Sequence, residues 1–259
     1  MPRCTSGRFF LCASHDTICN MHKLSIIIPS YNEARTIKTL IEKIKAVDLP
    51  AGKAGLGNVE KEIIVVDNGS TDETAQILKA VDGIRVLTLN PNRKKGGAVK
   101  AGINEATGNI VIVQDADLEY DPNDYPAMIR PILDGKTEVT NGVRIQPEHD
   151  ERKKKSLYWL SWLGNKAITW TTNWLYWHNA GEYEGCYKAF TKKLLNTIEV
   201  KTNDFDFDNE LMCKILKRGI KPIDIPIHYY PRSYAEGKKI NWRHGVKILK
   251  TIITTRFRR

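Results

Sequence analysis

Long apolar runs are missing from this 259-residue chain: none reaches the ~18 residues that a membrane-spanning helix requires, so no span is expected. The N-terminal stretch Phe9-Phe10-Leu11-Cys12-Ala13 is too short for a signal-peptide core, and His15 and Asp16 follow it closely. A cytoplasmic location is therefore expected. Cysteine is scarce. The five thiols are odd in number, lack metal-type spacing, and three of them (Cys4, Cys12, Cys19) sit in the irregular start. This excludes a disulfide framework and a zinc module, and leaves reduced, structurally incidental thiols. RNA-binding signatures and internal repeats are absent as well. Acids are the minority charge: 40 Lys and Arg stand against 30 Asp and Glu, a net charge of +10. From Arg232 to Arg259 nine basic residues meet the single acid Glu236, so this end alone carries +8. Such an excess predicts an anionic partner (a phosphate-bearing substrate, an anionic membrane surface or nucleic acid) unless it is only a solvated basic helix.

The order of patterns along the chain gives its organisation. Residues 1–21 show no periodicity and read as an extension. Residues 22–240 read as one domain, and 241–259 as a basic amphipathic helix in which Val246, Leu249, Ile252, Ile253 and Phe257 share a face. Strands are expected at 24–28, 62–66, 85–89 and 109–113, with helices over 34–47, 72–81 and 97–106 between and around them. Residues 49–61 read as a loop. Strands that are continuous apolar runs alternating with helices predict an α/β fold with a mostly parallel sheet covered on both faces. Further on, a short strand is expected at 138–140, one or two aromatic-rich helices over 157–177 with a break near Gly164, a helix over 207–217 and a strand over 222–229. The aromatic segment suits a membrane interface, a pocket or the core.

The polar residues collect at strand ends. Gln114-Asp115-Ala116-Asp117-Leu118 follows the apolar run 109–113, Asp67 ends the second strand, and Pro29 to Glu33 follow the first. In parallel sheets ligands bind outside the carboxyl ends of the strands. Acids there are costly to desolvate unless a cation neutralises them, and a divalent ion held against substrate phosphates does so. Gly96 and Gly97 open a helix whose N–H groups favour anions, and Lys95 adds charge. Asn32 and Glu33 suit either a site or a helix cap.

Pro29-Ser30-Tyr31-Asn32-Glu33, Val65 to Thr74, Lys95 to Gly102 and Asp115-Ala116-Asp117-Leu118, in that order, strongly resemble the family 2 glycosyltransferases of the GT-A fold. The likeness is greatest to the dolichyl/polyprenyl-phosphate mannose (or glucose) synthase branch. It continues through Glu184 to Phe190, Phe205 to Glu210 and the basic loop Tyr229 to Ile240. Departures are Asn68 where a second Asp is common, Glu119 where the best-known members have Gln, and Glu182 and Gly185 in the acceptor-side segment. The Gln-x-x-Arg-Trp pattern of processive synthases is absent.

The resemblance implies transfer of one hexose from GDP-mannose or UDP-glucose to a polyprenyl phosphate at the cytosolic membrane face, with inversion and with Mg2+ or Mn2+. Asp117 would ligate the metal, Asp115 would contact metal, ribose or donor sugar, and Glu119 would assist through water or stand as a surface acid. Asp67 would accept N–H bonds from uracil or guanine. Pro29, Tyr31 and Glu33 would frame base and ribose, with Lys95, Gly96 and Gly97 near the phosphates. Arg144, Arg232 and Lys238 are candidates for phosphate binding, while the run 152–155 reads mostly as a solvated loop. If the acceptor is instead a sugar or protein hydroxyl, Glu182 or Glu184 would be its base. A nucleic-acid-binding protein and a donor-binding scaffold without activity are the remaining alternatives; the acidic strand ends argue against nucleic acid.

Overall fold

Strands and helices alternate through the residues that the computed structural model describes, 22–49, 59–145, 156–230 and 242–258. The first half follows the expected alternation: β1 (Lys23–Ser30), α1 (Ile37–Ala46), β2 (Glu60–Asp67), α2 (Thr74–Lys79), β3 (Arg85–Thr88), α3 (Lys94–Glu105) and β4 (Ile110–Val113). A 3-10 turn, Pro122–Asp124, then enters α4 (Tyr125–Leu133), followed by β5 (Val139–Ile145), α5 (Ser156–Tyr176), β6 (Lys188–Thr191), the single-turn α6 (Lys192–Leu195), α7 (Phe207–Lys217), β7 (Ile223–His228) and α8 (Trp242–Phe257). The N-terminal extension, most of the 49–61 loop and most of the basic loop lie outside the described residues.

The seven strands form one sheet in the order β3-β2-β1-β4-β6-β5-β7. β6 runs antiparallel to both of its neighbours, and every other pairing is parallel. Central β1 and β4 bury residues on both faces, which is why they read as unbroken apolar runs. Met128, Ile129 and Ile132 of α4 and Ile37, Leu40, Ile41 and Ile44 of α1 belong to the single core. Helices α5, α7 and α8 pack on one another at the other end of the chain.

Three features differ from the sequence expectation. α4 carries two prolines, which mask a helical pattern. Pro126 falls in the first turn, where no backbone N–H is needed, and Pro131 sits inside the helix. β6 is a four-residue strand, too short for a period-two signal. α5 runs unbroken through Gly164, so no break forms there; a lone glycine in an otherwise favourable helix costs only about 1 kcal/mol.

Gly96 has a packing role. A Cβ at this position would stand 2.7 Å from Phe207 Cβ, 2.8 Å from the Asn203 carbonyl carbon and 2.9 Å from Asp204 O. The missing side chain lets the start of α7 close onto α3, and Gly97 N donates to Asn203 O across that contact at 3.1 Å. Asp204 extends the junction to α8 by pairing with Lys94 Nζ (2.9 Å) and Lys247 Nζ (3.0 Å). Burial alone would raise the Asp204 pKa, but these two cations hold it well below the ordinary range. Gly96→Ala is therefore expected to lower stability by about 2 kcal/mol, measured as a drop in the urea midpoint with an unchanged slope.

Glu210 anchors the same region from inside α7. Its carboxylate accepts from Lys201 N (3.1 Å) and Thr202 N (2.8 Å) and pairs with Lys214 Nζ (2.5 Å). Burial opposes its charge, yet these partners bring its pKa down to about 2 from an ordinary 4.5. A carboxylate depressed in the folded state stabilises fully above its unfolded pKa and loses that contribution as pH falls through the folded one. The melting temperature of the native protein should therefore decline as pH falls from about 4.5 towards 2. In Glu210→Gln it should start lower at neutral pH and decline less over that window.

Candidate active site

Pairing of β2, β1 and β4 brings their carboxyl ends to one edge. Ser30 stands in register with Asp67, and Ile27 with Val113. Gln114 N donates to Ile27 O at 2.9 Å, so the chain leaving β4 emerges beside the end of β1. Asp67 is buried at this rim, and one of its oxygens accepts from Ser70 N at 3.0 Å. Beside it, Ser30 Oγ is buried with no hydrogen-bond partner among the described residues. A buried orphan hydroxyl next to a carboxylate suits a polar ligand group.

Pro29 lies within β1, and Tyr31 is exposed just past its end. Glu33 O accepts from Thr36 N and Ile37 N, so the backbone of this residue caps α1. Its carboxylate accepts from Thr36 Oγ1 at 3.3 Å. Asn32, at φ +57°, ties to the second rim loop by accepting from Thr71 N at 2.8 Å. Asn68 also has a structural reason. Its amide donates to Asn92 Oδ1 and Lys94 O (both 3.1 Å), and its carbonyl accepts from Arg93 N at 2.8 Å. A carboxylate cannot donate, so an Asp here would not hold the approach to α3 in this way.

The turn after β4 is built on a buried amide. Gln114 Oε1 accepts from the hydroxyls of Tyr125 (2.7 Å) and Tyr187, while Gln114 Nε2 donates to Asp115 O at 2.9 Å. Burial pushes both phenols well up, so they remain neutral donors. Leu118 adopts φ +61°, a conformation strained for a leucine, between Asp117 and Glu119. Asp117 Oδ1 accepts from Glu119 N at 3.2 Å. Glu119 reaches the other way: its carboxylate accepts from Tyr229 Oη at 3.0 Å and its carbonyl from Tyr230 N at 2.8 Å. It thereby binds this turn to the end of β7, where the basic loop begins.

Asp115 pairs with Lys95 of α3, whose Nζ lies 2.7 Å from Oδ1 and 2.9 Å from Oδ2. Burial disfavours the Lys95 charge, but Asp115, Cys186 and Asp208 outweigh it and hold its pKa above the ordinary value. The field around it alternates in sign. Lys188 is fully buried and donates to Tyr183 O (2.9 Å) and Gly185 O. Glu184 accepts from Asn209 Nδ2 at 2.9 Å. Burial raises the pKa of both Glu184 and Asp208 and lowers that of Lys188. Cys186 packs its thiol, kept protonated by burial, against Asp115 and Val113 O. One cysteine is thus part of the site rather than incidental.

Arg144 sits inside β5, which extends beyond the expected strand. It forms an ion pair with Glu182 and lies 4.7 Å from the centre of the Tyr229 ring. Glu182, expected as one of two possible bases, is thus committed to a guanidinium. Arg232 and Lys238 lie outside the described residues, as does the run 152–155. The residues that sequence reasoning missed are Gln114, Lys188, Asp208 and Tyr229. All four lie in segments the sequence singled out (Gln114 to Leu118, Glu184 to Phe190, Phe205 to Glu210 and Tyr229 to Ile240), but none was given a role there.

Among the described residues no three acids, histidines or cysteines converge as a preformed metal cage. Asp117 and Asp115 nevertheless fit a Mg2+ or Mn2+ site of the kind in which one or two carboxylates share the ion with substrate phosphates.

Residues 25–198 match the family model described as glycosyl transferase family 2. The chain belongs to that family. This glycosyltransferase is 27% identical over 223 residues to an undecaprenyl-phosphate 4-deoxy-4-formamido-L-arabinose transferase from Enterobacter sp. (strain 638), covering 84% of this chain and 63% of that relative's length. An uncharacterised protein of Methanocaldococcus jannaschii is 26% identical over 239 residues, 90% of this chain and 92% of its own. Among solved structures, glucosyl-3-phosphoglycerate synthase from Mycobacterium tuberculosis, in complex with Mn2+, UDP and glucosyl-3-phosphoglycerate, superposes with a TM-score of 0.64 at 19% identity. The match covers 90% of this chain and 78% of that one, and it establishes the shared GT-A fold.

In this glycosyltransferase the Gln114 amide carries the acidic turn. Gln114→Met should leave two buried hydroxyls without an acceptor and cost about 3 kcal/mol of stability. Urea denaturation measures the loss; a variant within 0.5 kcal/mol of the native protein, about the spread of inconsequential substitutions, would show that the hub is dispensable.

Proposed function

We propose that this family 2 enzyme transfers a single hexose from a nucleoside-diphosphate sugar, GDP-mannose or UDP-glucose, to a polyprenyl phosphate, working peripherally at the cytosolic face of a membrane. The observation that carries the reading is that β2 and β4 flank β1 in parallel, so Asp67 ends one strand and Asp115 and Asp117 follow the other at the same sheet edge, with Lys95 paired to Asp115. The relative that acts on undecaprenyl phosphate supports the acceptor class, and the neighbour crystallised with Mn2+ and UDP supports donor and ion.

Asp67 accepts N–H bonds from the base, and the unpartnered Ser30 hydroxyl lies ready for base or ribose. Tyr31 and Glu33 frame the nucleoside. Asp117, with Asp115, would hold the divalent ion, which would supply Lewis-acid stabilisation of the departing diphosphate. Lys95 keeps Asp115 in place and adds positive charge next to the leaving group. Arg144, steered by Glu182 and Tyr229, faces the acceptor side, and Arg232 and Lys238 belong to the basic loop that would close on phosphate. A lipid phosphate is already an oxyanion near neutral pH, so positioning and charge neutralisation are sufficient and no base is required. Attack opposite the leaving group inverts the anomeric centre.

The raised pKa values of Glu184 and Asp208 favour a second reading, in which the acceptor is a hydroxyl and one of these acids takes its proton. The two readings separate cleanly. Incubation with radiolabelled nucleotide sugar and membrane lipid should yield an organic-extractable, mild-acid-labile product. Asp208→Asn and Glu184→Gln should each leave that rate within a few-fold, whereas for a hydroxyl acceptor one of the two should lower it about 10²- to 10⁴-fold.

Metal dependence has its own measurement. Nucleotide sugar plus Mn2+ should raise the melting temperature, and EDTA should remove the rise. Asp117→Ala should abolish the metal-dependent part of the shift and reduce turnover on the order of a hundredfold or more.

A further inference from the structure

Helix α5 has more apolar surface than the fold uses. Ile168 and Tyr176 face inward, and Tyr176 Oη donates to Ile252 O of α8 at 2.8 Å. That stripe already satisfies the core. On the opposite side Trp170 and Trp174, one turn apart, are 75% and 73% exposed, and Trp177, just past the helix end at φ +54°, is 84% exposed. Helix α8 repeats the arrangement. Ile248 and Ile252 are buried, while Lys250, Ile253 and Phe257 share an outward face. A surface helix normally keeps one apolar stripe, for the core; here two packed helices each have a second.

We propose that the outward faces of α5 and α8 dock onto an anionic lipid bilayer. Charge selects this occupant. Neither helix contains an Asp or Glu, and α8 carries four Lys or Arg. Lys247 is engaged by Asp204 and Asp206, but Lys250 projects from the same face as Ile253 and Phe257. A second copy of this chain, itself at +10, would bring cation against cation on that surface. Exposed tryptophans flanked by cations match the headgroup region, where the indole ring has one wet and one apolar side. No described helix is long and apolar enough to cross a membrane, so the contact lies in the interface plane.

The face is also tied to the acceptor side of the site. Asn173, in the last turn of α5 beside Trp174, accepts through Oδ1 from Ala180 N (3.0 Å) and Tyr183 Oη (2.9 Å). Tyr183 leads directly to Glu184 and Cys186. Docking through α5 would therefore set the height of the acceptor segment above the lipid surface. The inference deepens the polyprenyl-phosphate reading and rests on it for its purpose.

The test uses the full chain and phosphatidylglycerol-containing vesicles that hold no polyprenyl phosphate. Native protein should cosediment with these vesicles, and its tryptophan emission should shift to the blue and be quenched by brominated lipid. W170Q/W174Q/W177Q, changed only at exposed positions, should keep the native melting temperature and lose about tenfold or more in vesicle affinity. Lys250→Gln should lose about fivefold. Failure of the native protein to bind these vesicles, binding by the triple variant equal to native, or a dimer that the triple substitution dissolves would each overturn the proposal. A short-chain, water-soluble prenyl phosphate reads the transfer reaction separately. Glycosylation of that acceptor without vesicle binding defeats the docking face alone, and vesicle binding without glycosylation defeats the acceptor assignment alone.

Discussion

The register of three parallel strands governs everything built at this site. β1 lies between β2 and β4, and the ladder sets Ser30 opposite Asp67 and brings Val113 level with Ile27. A shift of one residue would turn each strand's side chains to the opposite face of the sheet. Because β1 and β4 are buried on both faces, hydrophobic alternation cannot set this register. It is set instead by strand length, by the helices packed over the sheet, and by close contacts such as Gly102, where a Cβ would meet Ile27 Cγ2 at 2.4 Å. The acids that follow the strands inherit that alignment.

Around the acidic turn, charge is distributed rather than concentrated. Asp115, Lys95, Asp208, Lys188 and Glu184 act on one another through low-dielectric surroundings, with opposite signs interleaved. Such an arrangement limits the cost of burying each ion. The uncharged supports matter equally. Gln114, Tyr125 and Tyr187 fix the turn from beneath, and Glu119 with Tyr229 fastens it to β7. The same tyrosine lies against Arg144, so that guanidinium and the acidic turn share a neighbour.

Legibility in the sequence followed the range of the interactions. The apolar runs of β1, β2 and β4 announce themselves because both faces are buried, and their terminal acids stand out by contrast. α4 did not show, since Pro126 and Pro131 break the pattern that the core nevertheless accepts. β6 did not show because four residues have too little period to detect. Gly96 drew notice for a phosphate, yet the contact that demands it is with Phe207 and Asn203, more than a hundred positions away. Glu182 read as a free base, and its commitment to Arg144 is visible only once β5 is paired.

What the sequence determined by itself was the alternation of elements, the acids that follow the strands at the sheet's carboxyl edge, and the family. These depend on local periodicity and on motifs of a few contiguous residues. Only the tertiary structure decided the partners. It showed that Lys95 holds Asp115, that Lys188 lies buried beneath Glu184, that a cysteine touches the acidic turn, and that three tryptophans face outward instead of into the core. Each of these pairs or surfaces joins residues far apart in the chain, and the free energy of such contacts depends on distance and burial, which sequence spacing does not encode.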